Sequence, residues 1–214
     1  MRRAHRYSTE PVDKRAFSER FDRRYSRFAR PYDLAVKLLP ASRRWLSQAL
    51  PHIQGPHVLE VSPGAGWLLT QYAARFETHA VDLNRDLVEI GRSNLRRAGI
   101  TADLRVGDVA ALPYADASFD TVLSTMAFSG YPDGRRALSR DGPGSASWRP
   151  LGDHRRQLPG HGNRLGRALV ELWKRSGDLI RDMGALFAEF NLEATDREIG
   201  GFGSVHLYLA TGPG

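Results

Sequence analysis

The chain has 214 residues, 41% apolar and 26% charged, which suits one domain with one good core. It has no cysteine, so disulfides, thiolate metal sites and a cysteine nucleophile are excluded. The net charge of +7 sits at one end: residues 1 to 45 hold thirteen Lys and Arg against five Asp and Glu, a surplus larger than the whole chain's. No run of about eighteen apolar residues occurs and no apolar segment follows the charged start, so neither a membrane span nor a signal peptide is expected and the location expected is cytoplasmic. Of the 31 basic residues only Lys14, Lys37 and Lys174 are lysines, a bias that points to a GC-rich coding sequence.

Residues 1 to 12 are Arg-rich without periodicity and read as a disordered basic tail. Over Asp13 to Ala29, Phe17, Phe21, Tyr25 and Phe28 recur at helical spacing, giving an amphipathic helix with a basic back. Pro31 is expected to end it, and a second helix to run on to about Leu50. Residues 13 to 50 are expected to pack as one structural domain with 51 to 214. The basic arm is most simply a solvated helix face; contact with an anionic membrane surface stays open, and nucleic acid is not the favoured partner.

Residues 57 to 69, H-V-L-E-V-S-P-G-A-G-W-L-L, read as a buried strand, a glycine loop and a helix start. Gly64 and Gly66 permit dihedrals and a close backbone approach that a Cβ blocks, which suits a nucleotide-like ligand, although an ordinary glycine turn has the same look. A dinucleotide fingerprint wants a small residue where Leu69 stands, and a P-loop wants Lys-Ser/Thr where Trp67-Leu68 stands. His79 to Asp82 is a second strand ending in an acid, the position that offers a carboxylate to ribose hydroxyls; capping a helix from Leu83 onward is the alternative for Asp82. Asn84 to Ala98 is a helix stopped by Gly99, Asp103 to Val106 a third strand ending in Gly107-Asp108-Val109, and Phe119 to Ser124 leads through a fourth strand.

The combination of E-V-x-x-G-x-G, Asp82, Asp108 and L-P…S-F-D-x-V resembles the class I S-adenosylmethionine-dependent methyltransferases. The order R-Y-S-R-F-A-R-P-Y-D-L followed by R-R-W resembles their ubiquinone/menaquinone-biosynthesis branch (methyltransferase type 11). The resemblance implies an α/β fold, a Rossmann-like doubly wound seven-stranded sheet with an N-terminal helical extension, and S-adenosylmethionine as cofactor. It further implies a loop of Ser62, Gly64 and Gly66 around the methionine part, with Glu60 holding its amino group. Asp82, with Leu83 beside it, meets the ribose; Asp108 meets the adenine amine and Val109 a ring nitrogen through its amide. Ser124 faces the site from the fourth strand. Tyr32 lies over the pocket or is a packing tyrosine beside a proline. The family usually has Gly at the position of Ser62.

From Ser139 to His161 the pattern breaks: a helix, a Pro-Gly-Gly turn and an apolar fifth strand are due, and a polar Gly/Pro-rich stretch stands there. Back-translated with GC-leaning codons and read one base later, Asp141 onward yields M-A-R-V-L-R-P-G-G-R-W-V-I-I-D-V-N-Y-P, the missing elements. Two compensating frame shifts around residues 140 to 161 are therefore the working hypothesis, under which His154, His161 and the Arg155-Arg156 pair are accidents of frame and no metal ligand is expected.

The helical spacing returns over Asn163 to Arg175, expected as an inserted helix that covers the substrate, and over Leu179 to Phe190. Glu193 to Ile199 and Ser204 to Ala210 read as a closing antiparallel pair, with His206 a satisfied or surface histidine in preference to a catalytic base. The expected activity is methyl transfer to a small lipophilic acceptor such as a quinone-like ring, natural product or lipid head group. No residue has a sequence context that marks it as a catalytic base, and oligomeric state is not legible. The rivals are a damaged methyltransferase-like protein and an RNA methyltransferase. The latter lacks the Asp/Asn-Pro-Pro-Tyr motif after the fourth strand, and without cysteine it lacks the covalent route to C5 methylation.

Overall fold

The computed structural model describes residues 7–115, 118–141, 151–160 and 163–212. Seven strands form one sheet in the order β3-β2-β1-β4-β5-β7-β6. They are β1 (His57–Val61), β2 (Glu77–Asp82), β3 (Asp103–Val106), β4 (Thr121–Thr125), β5 (Leu151–Arg156), β6 (Glu193–Gly200) and β7 (Val205–Thr211). The pairs β1–β2, β1–β4, β2–β3 and β4–β5 are parallel, and β7 runs antiparallel to both β5 and β6.

The central strands are apolar runs because both faces are covered, as parallel sheets require. Period-two alternation divides β1: Leu59 and Val61 join Phe128, Met183 and Phe187 on one face, while Val58 joins Leu69, Tyr72, Val88 and Leu123 on the other. The helices are α1 (Lys14–Leu38), α2 (Pro40–Ser47), α3 (Leu69–Tyr72), α4 (Arg85–Arg97), α5 (Gly134–Asp141), α6 (Arg164–Arg175) and α7 (Met183–Glu189). Strand order reverses between β1 and β4, so a crevice opens at the carboxyl ends of these strands, where open α/β sheets bind ligands. The edge strand β6 is exposed over its first six residues and carries Glu193, Asp196, Arg197 and Glu198, charges that disfavour pairing with another chain.

Several expectations change. Pro31 does not end the first helix: α1 continues to Leu38, with the strain released one turn earlier at Phe28 (φ −114°, ψ 16°). A proline ring displaces the carbonyl four residues back, and a kink there relieves the clash. The kink also swings Phe28 off the aromatic face, leaving it 51% exposed. The tail expected to be disordered is docked from Tyr7 on: Ser8 donates its amide to the Ile180 carbonyl (2.7 Å), and Glu10 accepts from the Gly134 amide (3.0 Å). Residues 1–6 lie outside the described residues.

The loop expected over Ser139 to His161 is also corrected. Leu151–Arg156 is a strand, in register with both Leu123–Thr125 and Val205–Ala210. Neighbours on both sides leave backbone donors and acceptors that only an extended segment satisfies. The rest of the frame-shift stretch, residues 142–150 and 161–162, lies outside the described residues, as do the side chains of 151–156. The histidine on β7 is satisfied: His206 is buried, its Nδ1 2.6 Å from Asp196 Oδ1 and its Nε2 2.9 Å from the Gly203 carbonyl.

Candidate functional site

A cavity of about 610 Å³ occupies the crevice at the carboxyl ends of the strands. One wall is the loop after β1. Here the Ser62 amide extends the ladder to the Val81 carbonyl (2.7 Å), and then Ser62, Gly64 and Gly66 take φ of 52°, 59° and 70°. Ser62 thus sits in the left-handed region where an L side chain costs about 1–2 kcal/mol, which explains why glycine suits this position. Its hydroxyl is tied to the Tyr131 hydroxyl at 2.9 Å. In thermal unfolding, Ser62→Gly is expected to be nearly neutral, since relief of strain offsets the lost bond, whereas Ser62→Ala keeps the strain and costs about 1 kcal/mol.

Gly64 has a second constraint: a Cβ there would come within 3.1 Å of Tyr32 Cε1. Tyr32 therefore lies directly on the loop, edge-on to Tyr25 at 5.6 Å between ring centroids. Gly66 faces the other way, where a Cβ would meet Leu69 Cδ1 at 3.3 Å and Gly91 Cα at 3.4 Å. It lets α4 approach the loop and does not line the cavity.

Asp82 ends β2 and is the hinge of the site. Its Oδ2 accepts from the Gly64 amide (2.9 Å) and its Oδ1 from the Asn84 amide (2.8 Å), so one carboxylate ties two loops together. It is 6% exposed and lines the cavity. Burial raises its pKa to about 6; the two amides pull it down and Asp22 pushes it up. Asp82 does not cap α4: that role belongs to Asn84, whose side chain accepts from the Leu87 amide (2.9 Å). Asn84 Nδ2 in turn donates to Asp22 Oδ1 (2.7 Å), which docks α1 against the site.

Leu83, Asp108 and Val109 line the same cavity as Tyr32, Ser62 and Gly64. Asp108 also caps the short turn after β3, accepting from the Ala110 amide (2.9 Å). The two readings of this residue are thus compatible, since one oxygen serves the cap.

Glu60 and Ser124 are placed differently from expectation. Glu60 is fully buried and does not line the cavity; alternation along β1 turns it to the α3 face. There the Tyr72 hydroxyl donates to Oε2 (3.0 Å) and the Thr125 hydroxyl to Oε1 (3.2 Å). Burial lifts its pKa to about 7 against the pull of those hydroxyls. Ser124 is also fully buried, its hydroxyl without a partner, and the next residues of β4, Thr125 and Met126, line the cavity instead. Met126 holds φ 60°, a strained conformation where β4 turns over the site.

The sequence reading missed the remaining wall. Phe21, Asp22 and Tyr25 come from α1, Ser129 and Tyr131 from the turn after β4, and Asp178 from the segment after α6. The aromatic spacing of α1 was the available signal, but it also describes a packing face. The inserted helix α6 contributes nothing to the cavity wall; it packs on the β6–β7 turn, where a Cβ on Gly166 would collide with the Phe202 carbonyl.

Arg181 holds this missed wall together. It is 8% exposed, donates to the carbonyls of Phe128 (3.0 Å) and Tyr131 (2.5 Å), and reaches Glu10 at 3.3 Å. Replacing it with methionine strands two buried carbonyls at about 1–3 kcal/mol each. A loss of roughly 3 kcal/mol in denaturant unfolding is expected, with faster proteolysis near Glu10. Among the described residues no cluster suited to a metal ion occurs, and no helix is long and apolar enough to cross a membrane.

The sheet order, the carboxyl-edge crevice and the acid-terminated strands together define a class I S-adenosylmethionine-dependent methyltransferase fold. Residues 58–140 match the methyltransferase-domain family profile, and the cofactor of this domain is S-adenosylmethionine. Over 119 residues the chain is 29% identical to a phosphatidylethanolamine N-methyltransferase of Cereibacter sphaeroides, covering 55% of this chain and 58% of that protein. Over 114 residues it is 32% identical to a demethylmenaquinone methyltransferase of Renibacterium salmoninarum, covering 50% and 46%. The chain thus spans about half the length of the curated relatives it matches. Its fold is also similar to a crystal structure of geranyl diphosphate C-methyltransferase from Streptomyces coelicolor in complex with magnesium, geranyl diphosphate and S-adenosylhomocysteine. There the TM-score is 0.65 at 15% identity, covering 97% of this chain and 90% of that one.

Proposed function

We propose that the chain transfers a methyl group from S-adenosylmethionine to a small acceptor, a quinone-like ring, natural product or lipid head group, that enters the cavity beside α1. The observation that carries this reading is Asp82: a buried carboxylate at the end of β2, fixed by the Gly64 and Asn84 amides, opening onto the same cavity as Asp108. Gly64 leaves room under Tyr32 that a Cβ would fill, so the residues present fit the cofactor.

In this reading Asp82 takes the ribose hydroxyls, since a carboxylate accepts two at once. Leu83 and Val109 flank the adenine, Asp108 accepts from its amine, and the loop of Ser62 and Gly64 lies along the methionine part. Glu60 acts through Thr125, whose hydroxyl it fixes, and does not reach the cofactor itself. When bound, S-adenosylmethionine supplies an electrophilic methyl on a sulfonium. The protein's part is alignment of the acceptor and exclusion of water by Phe21, Tyr25 and Tyr32, which is where most of the rate arises in such transfers.

Calorimetry with S-adenosylmethionine tests the cofactor half; no heat at millimolar cofactor would sink the proposal. A mass screen of phenols, quinols, amines and lipids for gain of one methyl tests the acceptor half.

A further inference from the structure

The cavity has a second half that the cofactor assignments leave unused. Phe21, Ser129, Gly130 and Asp178 line it. Asp178 is 5% exposed, its Oδ1 accepting from the Ser129 hydroxyl (2.7 Å) and its Oδ2 from the Ser176 hydroxyl (3.1 Å). Neutral hydroxyls orient a carboxylate without cancelling its charge, and a carboxylate offers about four acceptor positions.

Phe21 forms the wall beside it. A Cβ on Gly130 would come within 2.8 Å of the ring, and one on Gly177 within 3.7 Å, so two small residues flanking Ser129 and Asp178 make the ring's seat. Arg24 stacks over this ring at 5.3 Å from its centroid, so the ring already serves as a cation partner there.

The charge of the lining favours a cation. Lys14, Arg15 and Arg136 are its basic members; Lys14 is paired with Asp133 (2.5 Å) and Arg15 with Glu19 (2.9 Å). Asp82 and Asp108 belong to the cofactor half, and Asp22 accepts from Asn84. Asp178 is then the acidic group that faces the acceptor. An anionic acceptor meets repulsion from it, a neutral quinol gains one hydrogen bond, and an amine gains both the bond and the charge.

Building on the methyltransferase reading, we infer that this half of the cavity is an acceptor subsite for an amine, whose nitrogen donates to Asp178 beside Phe21. For an amine nitrogen to take a methyl it first gives up one proton, and the new N–C bond leaves on it the positive charge that the sulfur gives up. A carboxylate at that nitrogen holds positive charge both before and after the step.

The test uses the full chain with ethanolamine, phosphoethanolamine, phenethylamine and hydroquinone as probes. Expected are methyl gain on at least one amine and binding of that amine by calorimetry with S-adenosylhomocysteine present. Asp178→Asn is expected to lower amine kcat/KM and affinity about ten- to a hundredfold, with S-adenosylmethionine affinity unchanged. That unchanged affinity also reports a folded variant. Should the variant fail to fold, Phe21→Leu gives the second reading: amine affinity falls several-fold and cofactor affinity holds. Methylation of hydroquinone with no amine methylated, or amine kinetics unmoved in both variants, overturns the inference. Failure of the wild-type chain to bind S-adenosylmethionine overturns the underlying methyltransferase reading instead.

Discussion

Asp82→Ala is expected to weaken S-adenosylmethionine binding by about a hundred- to ten-thousandfold in calorimetry, because two charge-assisted bonds to ribose hydroxyls are lost at about 1.5–3 kcal/mol each. The carboxylate also holds the Gly64 and Asn84 amides, so the variant loosens the loop as well as losing its own contact. The pH dependence separates these parts. Asp82 is raised from 3.8 to about 6 and Glu60 from 4.5 to about 7, both by burial. A carboxyl raised in the folded state contributes stability that is fully present below its unfolded value and is lost as pH rises through the folded one. For these two groups, then, the free protein is most stable below about pH 4 and loses their contribution up to about pH 7. Cofactor binding has the opposite slope, since Asp82 accepts ribose hydroxyls best when ionised, above about pH 6. Scanning calorimetry from pH 5 to 8 with and without saturating cofactor should show the ligand-induced rise in Tm widening with pH. In Asp82→Ala that widening disappears, and a constant shift in the wild type would show that Asp82 does not hold the cofactor. Glu60→Gln keeps a partner for Tyr72 and Thr125 while removing the buried charge. It is expected to stabilise the free protein above pH 7 by up to roughly 3 kcal/mol.

What was legible in the sequence follows from which constraints are local. The β1 loop, Asp82 and Asp108 are set by strand ends and glycine turns a few residues long, so their spacing carries them onto one cavity. Glu60 and Ser124 were misjudged because a motif names a residue but not the face its side chain takes, and β1's alternation decides that for Glu60. Pro31 marks a kink and not an end, since the packing of Ala29 and Tyr32 against Ala65 and Leu87 outweighs the lost amide. The wall of Ser129, Tyr131 and Asp178 depends on contacts across about fifty residues, such as Ser129 with Asp178 and Arg181 with Phe128, and nothing in a local window announces them. The docking of Ser8 on Ile180 is more remote still.

The fifth strand is where sequence and fold are furthest apart, and it carries the largest stability prediction. β5 lies between β4, buried along all five residues, and β7, buried over its first four. A strand in that place is normally an apolar run. The chain supplies Leu-Gly-Asp-His-Arg-Arg at 151–156, four ionisable residues of six. The backbone ladder to β4 and β7 is compatible with that sequence, because hydrogen bonds of the main chain are indifferent to side-chain type. The apolar contribution of the strand is not. Replacing Asp141 onward by M-A-R-V-L-R-P-G-G-R-W-V-I-I-D-V-N-Y-P places Val-Ile-Ile in the strand at about 1.5–3 kcal/mol per buried side chain. With about 2–4 °C per kcal/mol for a domain of this size, Tm is expected to rise by about 10–20 °C. Methyl transfer should rise with it, because Leu123–Thr125 of β4 pairs with β5 on one side and Thr125 and Met126 line the cavity. Resequencing the gene across codon 140 checks the origin independently. If the replaced chain melts no higher than the original, the frame-shift account fails, and the polar strand is the one this sheet was built to hold.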